Sequence, residues 1–266
     1  MKYIKLFENF NEKSIADICK RYRIDDYTIN DDGSIDVDGN VDLSKVGQHY
    51  NQHQLKKLPL KFRKVLGDFN CSSNELTSLE GCPEYIGENF FCYKNEITNF
   101  KHCPKYVGGM FSASTNKLTS LEGCPEIING NFNVMYNKLT SLEFSPRKVL
   151  GDFKCHDNLI TDLNHSPEYV SGDYECDENK IKTLIGLKTE INGDFYSEKD
   201  IQIIYEILID HLEYINNFYD FNIITDFDSD PKTLNMKRLI RFIELYDLTE
   251  LNENFIEKIK KNYNVI

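Results

Sequence analysis

Apolar positions recur along this chain with a period of 21 residues. An aromatic side chain stands at Phe69, Phe90, Phe111, Phe132, Phe153, Tyr174 and Phe195, and asparagine follows in phase at Asn74, Asn95, Asn116, Asn137, Asn158 and Asn179. Two aliphatic columns come next: Leu76, Ile97, Leu118, Leu139, Ile160 and Ile181, then Leu79, Phe100, Leu121, Leu142, Leu163 and Leu184. Proline closes the unit at Pro83, Pro104, Pro125, Pro146 and Pro167, ahead of Ile86, Val107, Ile128, Val149, Val170 and Ile191. The heptapeptide NKLTSLE occurs twice, at Asn116–Glu122 and Asn137–Glu143. So strict a period predicts a solenoid, in which no unit buries its own apolar face and each must stack on its neighbours.

Within the unit, GDFNCSSN alternates inward and outward side chains, as a short half-buried strand does. Phe69 and Cys71 are predicted to point in, and Asn70 and Ser72 out. Asparagine is read as the residue that turns the chain, its amide bonding exposed backbone groups and stacking into a ladder. The LTSLEG arm returns beneath the strand. Proline and the Gly-Asp or Gly-Gly pair make the second corner.

Outside the periodic region the pattern changes. Ile15, Ile18, Cys19 and Tyr22 fall at helical spacing, and Tyr27–Leu43 alternates apolar residues around Asp-Gly turns, which predicts a hairpin. The aspartates of that stretch do not make an EF-hand loop: counting from Asp36 puts Val41 where the loop needs glycine. Beyond Phe195 the period stops. Ser197 with Asp200 predicts a helix cap, and Ile201, Ile204, Leu208, Leu212 and Ile215 an apolar stripe. A second helix is predicted from Asp230-Pro231, burying Leu234, Leu239, Phe242 and Ile243, and a third from Asn252 towards Tyr263, with Phe218–Asp230 as a connecting loop. The organisation expected is an N-terminal cap over 1–45, a solenoid over 46–196 and a C-terminal helical cap or small helical domain over 197–266.

Hydrophobic content of 40% in 266 residues gives a folded chain, and no apolar run approaches the roughly 20 residues of a membrane span. The opening MKYIKLFENFNEK is not read as a signal peptide. Seven of the eight cysteines fall at two repeat positions, so they read as buried thiols of a cytoplasmic protein, not as a disulfide framework. A net charge of −12 argues against direct nucleic-acid binding, which needs a basic stripe.

The stretch LGDFNCSSNEL (Leu66–Leu76) resembles the leucine-rich repeat pattern L-x-x-L-x-L-x-x-N-x-L, with phenylalanine at the second leucine and cysteine often at the third. The resemblance runs from Leu66 to about Phe195, with a weaker first unit around Val41–Val65. It implies an α+β fold: a leucine-rich-repeat-like solenoid with a parallel strand face, an N-terminal α/β-hairpin cap and a C-terminal helical cap. The wording GDF-x-C-x-x-N-x-LTSLEGCP is similar to a subgroup associated with bacteria and tailed phages, and the leader MKYIKLFENFN looks like those of phage proteins. That likeness implies the cytoplasm of a bacterial host and a host factor as partner.

Groups able to carry chemistry are few and scattered. Bacterial leucine-rich repeat effectors sometimes carry a cysteine-dependent ubiquitin ligase behind the repeats, but the last cysteine here is Cys176, inside the solenoid. Cys155-His156-Asp157 sets thiol, imidazole and carboxylate side by side, yet strand alternation sends Cys155 inward and His156 outward. His49 and His53 have no partner set for a metal. No P-loop, dinucleotide-binding glycine pattern or nucleophile elbow is present. The expectation is therefore a protein without enzymatic activity, cofactor or metal.

Function then rests on the outward strand positions. Phe91, Tyr93, Met135 and Tyr136 place large apolar groups where water is expected, and exposed aromatics mark protein interfaces. His156, Glu175, Asp177 and Glu178, with Glu198 beyond, add a polar and acidic end able to steer a basic partner. The reading is a protein-binding module, with inhibition of a host defence protein as its expected role. The alternatives are an acidic mimic of nucleic acid and a structural virion or assembly component.

Overall fold

The computed structural model describes residues 14–44, 54–184 and 186–198, with short pieces at Ile224–Asp226, Thr233–Leu234, 238–239 and Asn264–Val265. Among these residues the chain is a parallel β-solenoid. Helix α1 (14–22) turns Ile15 and Cys19 into the core, with Ile18 and Tyr22 packed against it. Strand β1 (Tyr27–Ile29) then pairs antiparallel with β2 (Ile35–Val37). From there through Phe195–Tyr196 every neighbour is parallel. β2 pairs with β4 (Phe62–Val65), and β3 (Val41–Asp42) with Phe69–Asn70, so the hairpin segment already supplies the first layer of two stacks.

Each coil contributes two strands. The aromatic strands, from Phe69–Asn70 through Phe195–Tyr196, join β3 in one continuous eight-stranded sheet with Phe over Phe in register. Consecutive rings lie 4.9 to 6.2 Å apart between centroids. Tyr174 fills the same slot fully buried, and its hydroxyl lies 2.9 Å from Ser166 Oγ. Ser166 occupies the repeat position that Cys82, Cys103 and Cys124 hold in earlier coils, so the coil with the extra hydroxyl also carries the group that satisfies it.

The post-proline segments, read above as a corner, form a second set of parallel strands. These are Tyr85–Ile86, Tyr106–Val107, Ile127–Ile128, Lys148–Val149, Tyr169–Val170 and Glu190–Ile191. Strands only two residues long give little alternation to recognise, which is why the sequence does not announce them. This second stack is interrupted: Tyr106–Val107 ends one sheet and Ile127–Ile128 begins another.

The phrase NKLTSLE can now be read residue by residue. Asn116 donates its amide to the carbonyls of Cys92 in the coil before, and of Ala113 and Ser114 in its own, while Oδ1 accepts the Ile97 N–H at 3.0 Å. Leu118 and Leu121 are fully buried. Ser120 Oγ accepts the N–H of Glu122 at 3.0 Å, closing the bend of the arm. The turn itself departs from expectation. The left-handed residue is not asparagine but the one before it: Ser73, Lys94, Thr115, Tyr136, Asp157 and Glu178 have φ between 52° and 57°. Asparagine holds the ladder, and its neighbour takes the unfavourable backbone angle.

A second polar ladder runs at the other corner, where the Asp68, Asn89, Asn131, Asp152 and Asp173 side chains bond the same position of an adjacent coil. Asn89 N–H donates to Asp68 Oδ1 at 3.0 Å, and Asp194 N–H to Asp173 Oδ1 at 2.9 Å.

The C-terminal expectation needs correction. Ile224–Asp226, placed in a loop, is a strand. Thr233–Leu234, placed in a helix, is a strand antiparallel to it, and Asn264–Val265 pairs parallel with the latter. Leu239 is helical and buried. The stripe Ile201–Ile215, the third helix over 252–263, and His49 and His53 lie outside the described residues.

Candidate functional site

Three outward columns of the aromatic sheet carry the predicted site. Parallel stacking puts coils about 4.8 Å apart, so a residue and its counterpart 21 places on are lateral neighbours. Phe91 and Tyr93 are half-buried and meet edge to face, with centroids 6.4 Å apart. In the next coil the same columns hold Ser112 and Ser114, which are buried. In the coil after that Met135 is half-buried and Tyr136 is 51% exposed. The four apolar residues therefore form two ridges, with a serine-floored trough about 10 Å across between them.

The second ridge runs into the polar end. Tyr136 meets the His156 ring edge to face at 5.6 Å. His156 Nδ1 lies 2.7 Å from Asp157 Oδ2, and its Nε2 lies 3.7 Å from Glu175 Oε2. The negative charge of Asp157, with Asp177 and Glu178 behind it, raises the pKa of the Tyr136 hydroxyl. The acidic end is partly neutralised from within. Lys154 donates to Glu175 at 2.6 Å and lies 3.5 Å from Asp152; burial works against its charge, but the Glu175 contact prevails and leaves its pKa above the ordinary lysine value. Glu198, half-buried, accepts the Asn179 N–H at 2.8 Å and has its pKa raised by burial and by Asp177 and Glu178.

Cys155 is buried and His156 outward, so the Cys-His-Asp triplet is split across the sheet. The eight cysteines are free thiols, and among the described residues no group of three His, Cys, Asp or Glu converges as metal ligands. None of the helices in these residues is long and apolar enough to cross a membrane.

Compared with protein-family models, with curated proteins and with solved structures, the chain matches none.

Two surfaces escaped the sequence reading, both created by the second stack of strands. On its outer side Tyr85 and Tyr106 stack with centroids 4.8 Å apart and planes 6° from parallel, Lys64 lies over the Tyr85 ring at 5.3 Å, and Ile127 is exposed beyond them. The 21-residue phase opposite Ile86 and Val107 holds the signal, once those segments are taken as strands. The other surface is a cleft of about 1640 Å³ along the corner between the arms and this second stack.

Proposed function

We propose that this protein is a binding module of the leucine-rich-repeat type, without enzymatic activity, that recognises another protein on the outer face of its aromatic sheet. The observation that carries the reading is the pair of ridges, Phe91 with Tyr93 and Met135 with Tyr136, flanking the Ser112–Ser114 trough. Large, stiff aromatic groups at fixed spacing supply contact area at low entropic cost, and a trough of small residues admits a partner side chain. Inhibition of a bacterial host protein is the role we propose for a chain with phage-like wording. The acidic-mimic reading is less favoured, because Lys154 and His156 stand among the carboxylates that a mimic needs unpaired.

The test is capture from a bacterial lysate by wild type and by a Phe91→Ala/Tyr93→Ala/Tyr136→Asn variant, with Asn chosen because position 136 has φ of 54°. One protein retained by wild type and lost by the variant, at low and moderate salt alike, supports the reading. Retention of the same protein by the variant overturns it. Loss on raising salt alone, with the variant unaffected, favours the mimic.

A further inference from the structure

The outer side of the second stack carries a charged column next to an apolar one. In the first, the sign alternates coil by coil through Arg63, Glu84, Lys105, Glu126, Arg147 and Glu168. Bonds within the chain engage most of these groups. Arg63 pairs with Asp36, Lys105 with Glu84 at 2.9 Å, and Arg147 with Glu168 at 3.0 Å. Glu126 is the exception: it is exposed in the coil between Lys105 and Arg147, and among the described residues it has no ion pair. The second column reads Lys64, Tyr85, Tyr106, Ile127, Lys148 and Tyr169. The stacked Tyr85 and Tyr106 and the adjoining Ile127 are exposed, as are Leu66 and Leu150, two residues past Lys64 and Lys148. A single exposed apolar residue needs no explanation, but three in successive coils of one column make a patch.

We propose that this face binds a second copy of the chain in an antiparallel dimer. Its two-fold axis lies in the plane of the face, across the columns, at the gap between the coils of Tyr106 and Ile127. Such an axis sets each column against its own reverse. An axis through a coil would put like charges opposite each other, Lys105 on Lys105 or Glu126 on Glu126. An axis between two coils makes every facing pair opposite in sign, because the column alternates. Ile127 then selects the gap. Centred here it meets Tyr106 of the second copy, whereas at the other gaps it meets Lys64, Lys148 or Glu190, or nothing. The same centre uses all six charges: Arg63 faces Glu168, Glu84 faces Arg147, and Lys105 faces the unpaired Glu126. It also sets the hydroxyls of Tyr85 and Tyr169 opposite the ammonium groups of Lys148 and Lys64, which donate to them. The six charges cancel, so this column is neutral on a chain of net charge −12. Five coil-to-coil steps of about 4.8 Å make it about 24 Å long, at the small end of specific interfaces, which suits a micromolar dissociation constant.

The test is analytical ultracentrifugation of the full-length protein from low to high micromolar concentration, with two charge variants. Lys105→Glu and Glu126→Lys each leave like charges facing across the axis, twice per dimer. Each should weaken self-association at least about tenfold. Mixed in equal amounts, the two variants should associate again to within about threefold of wild type, because each supplies the charge that the other lacks. Recovery on mixing cannot come from a variant that fails to fold. The Phe91/Tyr93/Tyr136 variant should dimerise as wild type does, which separates failure here from failure of the aromatic-sheet face. A wild type that stays monomeric at the highest concentration overturns the proposal and leaves the face to a different protein. Single variants that dimerise like wild type, or a mixture no better than its components, overturn it too. So does a dimer lost in the Phe91/Tyr93/Tyr136 variant, which would place the contact on the aromatic sheet.

Discussion

Asn95 donates its amide to the carbonyl of Cys71, 24 residues earlier and one coil below, at 3.0 Å, while its oxygen accepts the Leu76 N–H of that same coil at 3.0 Å. One side chain thus closes its own turn and staples it to the previous one. These groups are buried, so they have no water to fall back on.

Replacing one rung should therefore cost more than an ordinary hydrogen bond. Asn116→Ala strands the buried Ile97 N–H and removes one of two donors from the carbonyls of Cys92, Ala113 and Ser114, which keep Asn95, Asn137 and the Lys94 N–H. It is expected to lose about 2 kcal/mol, against the roughly 1 kcal/mol of a single neutral bond. Urea denaturation of the variant measures it. A loss under about 1 kcal/mol means that the ladder merely accompanies the packing of the Leu columns.

The corner of the arm gives a prediction of opposite sign. Gly81, Gly123 and Gly186 adopt φ of 90° to 95°, but His102, Phe144 and His165 occupy the same slot at 62° to 66°. A left-handed residue with a Cβ costs roughly 1–2 kcal/mol, offset in part by the greater entropy that glycine loses. Phe144 is more than half exposed, so little packing is forfeited on its removal. Phe144→Gly should raise the thermal midpoint by a few degrees. Gly123→Ala should lower it, since the added Cβ meets the Phe100 carbonyl oxygen at 2.5 Å. A lower midpoint for Phe144→Gly would mean that this aromatic makes contacts worth more than its strained backbone.

Much of this was written in the 21-residue phase. Which residues face the core, the strand at each aromatic, the asparagine ladder and the opposite orientation of Cys155 and His156 all follow from periodicity and alternation. The second stack of strands does not, because Tyr85–Ile86 and its counterparts are too short for a period to show, and the cleft and the Tyr85–Tyr106 stack depend on it. The position of strain was also hidden. Thr115 and Tyr136 are poor left-handed residues, and only the hydrogen bonding of Asn116 and Asn137 explains why the turn falls on them. At the C-terminal end the apolar spacing around Leu234 suits a helix, but the Thr233–Leu234 strand is set by pairing with Ile224–Asp226 and Asn264–Val265.

The break in the second stack has an identifiable partner. Between the coils of Tyr106 and Ile127 the usual backbone bond is replaced by Asn129 Nδ2 donating to Val107 O at 2.8 Å. In the same gap the Asx ladder fails, because Met110 stands where other coils have Asp or Asn and has no oxygen to offer the Asn131 N–H. Hydrogen exchange should find the amides of Ile127, Asn129 and Asn131 less protected than those of Lys148, Leu150 and Asp152 one coil on. Met110→Asn should restore protection at Asn131 and add about 1 kcal/mol of stability. Uniform protection across the gap would show that the continuous aromatic sheet alone holds these coils together.

The thiol columns make stability depend on alkaline pH. Burial pushes the Cys71 thiol up to about 12, and drives Cys82, Cys92, Cys103, Cys124, Cys155 and Cys176 well above their ordinary value. In the unfolded chain the same thiols ionise near pH 8.5, so above that pH the folded chain holds more protons than the unfolded one. The stabilising difference is complete below about pH 8.5 and is lost as pH rises towards the folded values, by up to about 1.4 kcal/mol per pH unit for each thiol. Ala113 and Val134 fill the slot of Cys92 and Cys155 in other coils, so Cys92→Ala and Cys155→Val keep an apolar side chain with precedent in the same column. The double variant should therefore lose stability more slowly than wild type in urea titrations between about pH 8 and about pH 10, with the two curves converging as pH rises. Parallel curves would mean that the thiols ionise within the fold, and that the columns admit water that the packing of Phe69 through Phe195 excludes.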